Sequence, residues 1–431
     1  VTKSPLHLED GELTRAQNFQ PDATAVDGAI RRRDGMTQLN SVALAGSVKG
    51  LIALPLPSEF TTTRTFYAAI DDATTNTWRR STDGTTWATI TTSTLRKAAQ
   101  TAHANSAGHI WEGIGRGAVT WASRKGKIYF PGDDYTSQED GGTTTDPTLY
   151  SWDGTTELLL LKVPQSPYAD QRCYAITSII PYSENELVIS VADFHVVDTK
   201  AHSRVLLYSL VDNSLTEIGA GTNIRGGIFS PYVYNGRIWV APVNFELVTF
   251  NIIWARPSDA TWTTDAAFEA AGVGGISMVE FLGDLYLGTH SSLTTVARVR
   301  KRESTTAAWS SVVSTDGSGT GQYAGPLIVD QAGTTLLSYI NYGNGTAPLI
   351  RIIKTTDGSS WSTDLDVVAD LGAGYTVSGF PYLDTNGDIY WPLRKSDNTG
   401  FIKKRTSAGV WSNADTINNL RGPVQALKAL S

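Results

Sequence analysis

The amino-acid sequence predicts an all-β fold, and three observations carry the prediction. A turn built on Asp-Gly or a close variant recurs along the chain, at a spacing that settles near fifty residues. Short apolar runs follow tight Gly-containing turns, as in Asn235-Gly236 before Arg237-Ile-Trp-Val240 and Asn386-Gly387 before Asp388-Ile-Tyr-Trp391. The composition, with 40 Gly, 17 Tyr and 12 Trp in 431 residues, favours strands joined by tight turns. A fixed period of about 20–50 residues marks an array, a solenoid or a propeller. Four short antiparallel strands per period make a propeller blade. The expectation is therefore a single β-propeller domain over residues 1–431, built of four-stranded antiparallel blades.

The turns between third and fourth strands punctuate the chain. They are Asp34-Gly35, then Asp83-Gly84 with Trp87, Asp153-Gly154, Asp212-Asn213 and Asp259 with Trp262. The run ending at Trp309, Asp357-Gly358 with Trp361, and Gly409 with Trp411 complete the set. The one wide gap is explained by inserted stretches of low hydrophobicity at 91–114 and 131–147. The clearest unit runs from Gly325 to Ala369, with its fourth strand expected from Trp361 through Val368. Second strands are read at Lys127–Phe130, Glu186–Ile189, Arg237–Val240, Asp284–Leu287 and Asp388–Trp391. Asn-Gly turns precede two of them, and both residues tolerate positive φ.

The ends of the chain suggest how the ring closes. Residues 422–431 look like a first strand with no second, while 11–45 look like strands two to four with no first. Joined, they make one blade and remove exposed sheet edges. Eight blades are expected, or seven if the N-terminal segment is an arm outside the ring; residues 1–10 are read as an arm in either case.

Composition narrows the function. Lys plus Arg is 35 against 42 for Asp plus Glu, a net charge of −7, which argues against stable nucleic-acid binding. Cys173 is the only cysteine, so no intrachain disulfide forms, and a buried structural thiol is expected. No run of 18 apolar residues appears, so no membrane-spanning helix is expected. Val1–His7 lacks the apolar core of a signal peptide, so no Sec export address is expected there.

Each motif has a functional and a bland reading. In the recurring turn, Asp caps the turn amides, Gly supplies positive φ, and the Trp packs under the hairpin. That makes it a folding device. Asp384, Asn386 and Asp388 alternate as at the start of a calcium loop, but Ile389 stands where a Gly is usual and no closing Glu follows. An ordinary blade turn is expected, with these three as weak metal candidates. Asp133-Asp134 with Glu139-Asp140 is read as a solvated acidic loop. The six histidines show no metal-ligand spacing, and there is no Gly-x-Ser-x-Gly elbow or Walker loop. Arg298-Val-Arg300-Lys301-Arg302 alternates along a third strand, with Lys403-Lys404-Arg405 in the equivalent position. Both are read as a solvated face.

Ser81-Thr-Asp-Gly-Thr-Thr-Trp87 and its relatives resemble the Asp-box of sialidases, one residue shorter than the usual form. A sialidase would also need a dispersed arginine cluster and an early Phe/Tyr-Arg-Ile-Pro strand, which this chain lacks. The opening segment, Leu8-Glu-Asp-Gly11 through Asn18-Phe19 and then Gly28-Ala-Ile-Arg-Arg-Arg-Asp-Gly35, resembles virion proteins of tailed phages, the tail nozzle and tail hub proteins of short-tailed phages. The resemblance covers about thirty residues. It implies a structural virion component located in the tail, made in the host cytoplasm and present in several copies in a symmetric assembly. Its partners would be other virion proteins, tail or portal-proximal subunits, and a host surface glycan or receptor. No enzyme activity and no cofactor are expected. The alternatives are a glycan-binding or sialidase-like propeller and a receptor-binding tail protein.

Overall fold

A computed structural model describes residues 122–131 and 147–414 apart from short stretches at 168–170, 196–200, 229–230, 243–248, 270–272, 292–295, 316–321, 343–348, 373, 378–380, 384–386 and 396–399. Before them it describes the strand segments 19–21, 30–32, 47–54, 65–71, 76–81 and 88–92.

The described residues form successive four-stranded antiparallel meanders, here called blades A to G. Blade A is Ser47–Leu54, Thr65–Asp71, Asn76–Ser81 and Ala88–Thr92. Blade B is Ala122–Arg124, Lys127–Pro131, Thr148–Trp152 and Glu157–Lys162. Blade C is Gln171–Ser183, Glu186–His195, Ala201–Ser209 and Leu215–Glu217, and Ile224–Arg225 also pairs with its third strand. Blade D is Tyr232–Tyr234, Arg237–Val240, Thr249–Ala255 and Thr263–Glu269. Blade E is Val273–Phe281, Asp284–Ser291, Arg298–Arg302 and Trp309–Ser314. Blade F is Gln322–Val329, Leu336–Tyr342, Leu349–Thr355 and Ser362–Asp366. In blade G, Tyr375–Val377 and Tyr382–Leu383 both pair with Ile389–Lys395, which leads to Gly400–Arg405 and Trp411–Ala414. A separate pair, Phe19–Pro21 with Ile30–Arg32, lies within the segment read as the first blade. The closing strand at 422–431 and the arm at 1–10 lie outside the described residues, as does most of 91–114 and 131–147.

Blade packs on blade through apolar residues that alternate along the strands. One cluster joins B to C through Leu149, Val163, Ile179 and Leu187. The next joins C to D through Val188, Val205, Ile238 and Val240. The series continues D to E around Trp239 and Leu287, E to F around Tyr286 and Leu336, and F to G around Tyr339 and Trp391. Each buried Val, Leu or Ile contributes about 1.5–3 kcal/mol. The core is thus a row of seams between consecutive blades, and the architecture is a β-propeller.

Turn chemistry explains where the strands reverse. Lys125-Gly126, Asn235-Gly236 and Leu282-Gly283 all have positive φ at both residues, which suits the twist of a two-residue hairpin. Blade F departs from the sequence reading at its outer strand. The strand stops at Asp366 instead of reaching Val368, because Asp366 caps a one-turn helix, Val367–Leu371, by accepting from the Ala369 amide at 3.0 Å. Blades E and F are also stitched together by strand pairing, with Thr289–Ser291 opposite Ala324–Gln322. Gly288 makes that approach feasible: a Cβ there would lie 2.6 Å from the Ala324 carbonyl oxygen.

A recurrent β-bulge falls in the outer strand. The ladder shifts at Ile90, Leu160, Asp265, Val312 and Asp364, leaving one residue without a partner each time. In blades D, E and F the bulged residue follows the Trp of the turn by three positions, as in Trp309 and Val312 or Trp361 and Asp364, whereas the strand after Trp411 in blade G pairs without a shift. A bulge re-aims a side chain. In blades B, D, E and F it aims the residue at the next blade.

Candidate functional site

The turn aspartates are engaged locally. Asp153 Oδ1 accepts from the Thr155 and Thr156 amides at 2.9 and 2.8 Å, and Asp357 Oδ1 from the Ser359 and Ser360 amides at 2.8 and 2.7 Å. Those bonds favour the carboxylate, and Asp357 is held well below the usual range, first by the Ser360 and Ser359 amides. Gly154 and Gly358 sit at φ 96° and 74°. Asp259 acts backwards, accepting from the Arg256 amide at 2.8 Å. In blade G, Thr406 takes the capping role toward Val410, with Gly409 at φ 83°. Asp34, Gly35, Asp83, Gly84 and Trp87 lie outside the described residues.

The tryptophans reach further than their own hairpins. Trp262 Nε1 donates to the Ile218 carbonyl of blade C at 3.0 Å. Trp309 Nε1 donates to Asp265 of blade D at 2.6 Å, and Trp411 Nε1 to Asp364 of blade F at 2.8 Å. The same two carboxylates bind the last arginine of the next blade's third strand. Arg302 forks onto Asp265 at 2.8 and 3.0 Å, and Arg405 Nε meets Asp364 at 2.6 Å. Lys354 adds a third contact to Asp364 at 2.7 Å. Burial pushes the Asp364 carboxyl up, but hydrogen bonds from Arg405 and Lys354 and the Arg405 charge bring it below the usual range. The D–E and F–G seams thus share a carboxylate clamp placed by the bulge. The E–F seam has Val312 there, packed in the core cluster that includes Trp361, whose Nε1 has no hydrogen-bond partner.

These contacts correct the reading of the basic runs. Arg300, Arg302, Lys403 and Arg405 are buried at 5%, 9%, 2% and 5% exposure, so the stripe is not a solvated face. Alternate residues point into the preceding seam, which the repeat pattern did not distinguish from solvent. Lys403 Nζ reaches Asp370 of the one-turn helix at 2.6 Å and Asn413 at 2.8 Å. A buried ion pair also stands inside blade C. Arg204 binds Asp193 at 2.5 and 3.0 Å and donates to the Pro164 carbonyl at 2.9 Å.

Asp388 is placed by its neighbours as well. It pairs with Lys404 at 2.7 Å and accepts from the Ser407 amide at 3.0 Å. Asp284 does the same with Lys301 at 2.9 Å and the Ser304 amide at 2.8 Å. The repetition identifies a brace between the second strand and the following outer turn. Asp384 and Asn386 lie outside the described residues. Among the described residues no three His, Cys, Asp or Glu side chains are grouped to hold a metal ion. The space lined by Ile228, Ala241, Gly275, Ser277 and Leu287 leaves no room for a water molecule. Among the described residues no helix is long and apolar enough to cross a membrane.

Within each meander, the turns between strands one and two and between three and four fall at one end. The connections between strands two and three, and from blade to blade, fall at the other. Residues 93–121 lead from blade A to B, and 132–147 join the second and third strands of B, so both long inserts belong to the second kind. Two ends of different character result, a compact turn end and a loop end.

Comparison with protein families and with curated proteins finds no match. Among solved structures, the chain is similar to an oligogalacturonate lyase in complex with manganese, at 7% identity and a TM-score of 0.48, over 87% of this chain and all of that one. It is similar to the β-propeller domain of the trilobed protease from Pyrococcus furiosus, at 8% identity and 0.45, over 87% and 100%. It is also similar to the extracellular domain of a one-component system from B. thetaiotaomicron, at 9% identity and 0.46; it covers 72% of this chain and spans about a third, 34%, of that one. None of these is a phage tail protein. The expectation of a non-enzymatic protein is withdrawn, because a lyase stands among the propellers of this shape.

Proposed function

We propose that the chain is a structural protein of a phage virion, held in a tail assembly by protein contacts made at the loop end of its propeller. The observation that carries this reading is the asymmetry of the blades. Tight turns with internally paired side chains occupy one end, while the two longest connections, 93–121 and 132–147, emerge with the other blade connections. The resemblance of the opening segment to tail nozzle and tail hub proteins supports it, and the Phe19–Pro21 and Ile30–Arg32 strand pair lies inside that segment. Fold alone does not decide function. The test is mass spectrometry of purified particles from the phage encoding the chain, followed by cross-linking in the intact virion. Recovery at a fixed copy number, with cross-links from the loop end to other tail subunits, is expected. Absence from the particles overturns the proposal.

A further inference from the structure

Arg300 is a buried cation without a counter-charge among the described residues. It is 5% exposed, and its Nε has no hydrogen-bond partner. Its guanidinium carbon lies over the Phe268 ring of blade D, 3.5 Å from the centroid. Among the described residues no carboxylate pairs with it. Its neighbour on the same strand face, Arg298, is partly exposed and likewise has no acid partner among them. Burial, and secondarily the charge of Arg298, push the Arg300 guanidinium down to about 10. The contrast with Arg302, two residues on and forked onto Asp265, is internal to the same strand. Arg302 faces an acid that the bulge supplies, whereas Arg300 faces Phe268, and Arg298 precedes it on the same strand face toward the loop end of the seam.

Burying a charge without a partner is strongly unfavourable, so a site of this kind is completed by an anion. Phe268 lies against the guanidinium, whose unpartnered Nε–H can donate to a planar or tetrahedral oxyanion. We infer that the D–E seam binds an oxyanion between Arg298 and Arg300, a carboxylate or phosphate group entering from the loop end. The inference does not depend on the virion reading, since it rests on this seam alone.

The test is thermal unfolding of the full chain in sodium phosphate or sodium galacturonate, each against sodium chloride at matched ionic strength. A rise of about 2 °C over the chloride control is expected at tenfold excess over the dissociation constant. Arg298→Ala and Arg300→Met are expected to lose that rise, and Arg225→Ala, an exposed arginine of blade C, to keep it. Without anion, Arg300→Met is expected to unfold at or above the wild-type temperature. If it fails to fold, Arg298→Ala alone carries the test, because its side chain is only partly buried. A rise with phosphate alone assigns a phosphate group, and a rise with galacturonate alone a carboxylate. No rise with either salt, or a rise undiminished in Arg298→Ala, overturns the inference.

Discussion

Replacing Asp364 by Ala removes an acceptor that three side chains of two blades share. The Asp364 side chain is 3% exposed and that of Arg405 6%, so the pair is removed from solvent screening. Deleting one partner of a buried pair leaves the other charge uncompensated, at about 3–5 kcal/mol. Trp411 loses its acceptor as well, at about 1 kcal/mol more. The predicted loss, about 4–6 kcal/mol, is a large part of the ~5–15 kcal/mol that holds a domain folded. Urea denaturation reads it as a lower midpoint at unchanged slope. A second variant, Asp364→Val with Arg405→Thr, imitates the E–F seam, where Val312 and Thr355 occupy these positions, and is predicted to regain most of the loss. pH supplies an independent readout. The folded Asp364 carboxyl titrates below its unfolded value, so its contribution is present above about pH 4 and disappears as pH falls through the folded value. Wild type and Asp364→Ala should therefore converge in acid. A loss under about 1 kcal/mol, set against the 3–5 kcal/mol expected for a buried pair, or a double variant no better than the single one, refutes the clamp.

Gly358→Ala should destabilise far more than Gly333→Ala. Both residues have positive φ, but a Cβ at Gly358 would lie 2.0 Å from Tyr286 Oη while one at Gly333 meets nothing within 4 Å; equal midpoints in denaturant would contradict the contact. His290, 4% exposed and packed at a tilt against Tyr323 with ring centroids 5.0 Å apart, is pushed down to about 4 by burial. The unfolded chain takes up its proton first, so stability should fall by about 3 kcal/mol as pH drops from about 6.5 to 4, a slope that His290→Gln should flatten in denaturant titrations. Asp193→Asn should cost about 3–5 kcal/mol by stranding Arg204, whereas Asp193→Leu with Arg204→Met should be much milder; equal losses would show that the pair is not the cause.

Much of the fold was legible because turns obey local rules. Asn235-Gly236 announces a hairpin whatever surrounds it, and the Asp357-Gly358 turn needs only its own amides. The second strand at Arg237–Val240 follows from such a turn and an apolar run. The seams were not legible in the same way. Asp265 and Asp364 lie in unremarkable Thr/Ser-rich outer strands, and their partners are 37 and 41 residues away. A signal did exist. Trp262-Thr-Thr-Asp265 precedes a blade whose third strand ends in Arg302, and Trp361-Ser-Thr-Asp364 precedes one ending in Arg405. Comparing each repeat with its successor, in place of aligning repeats on one another, would have paired them. The basic runs were misread for the same reason, because strand alternation separates two faces without saying which meets solvent. Asp388 resembled a metal ligand because a calcium loop and a brace both begin with an acid after a turn; only Lys404 and Ser407 distinguish them.

The seams also encode the order of the blades, and one rearrangement tests that. Exchanging the bulged residues of D and E, Asp265→Val with Val312→Asp, leaves composition, length and turn chemistry unchanged. At the D–E seam it strands Arg302, whose side chain is 10% exposed, and removes the acceptor of Trp309. At the E–F seam it places a carboxylate in the cluster of Phe281, Val299 and Leu336. That carboxylate can accept from Trp361 Nε1, but no arginine ends the third strand of blade F, where Thr355 stands. Two uncompensated charges at about 3 kcal/mol or more each sum to a loss comparable with a domain's whole stability. Moving the cation as well, Arg302→Thr with Thr355→Arg, rebuilds a clamp at E–F and an apolar contact at D–E, and should recover much of the loss. Neither pair of exchanges changes the turns or the overall apolar content from which a propeller is read. If the first costs little, apolar packing alone orders the blades. If it unfolds the chain and the second rescues it, neighbouring blades recognise one another through the bulged residue, and a blade set down beside the wrong neighbour would meet a buried charge without its partner.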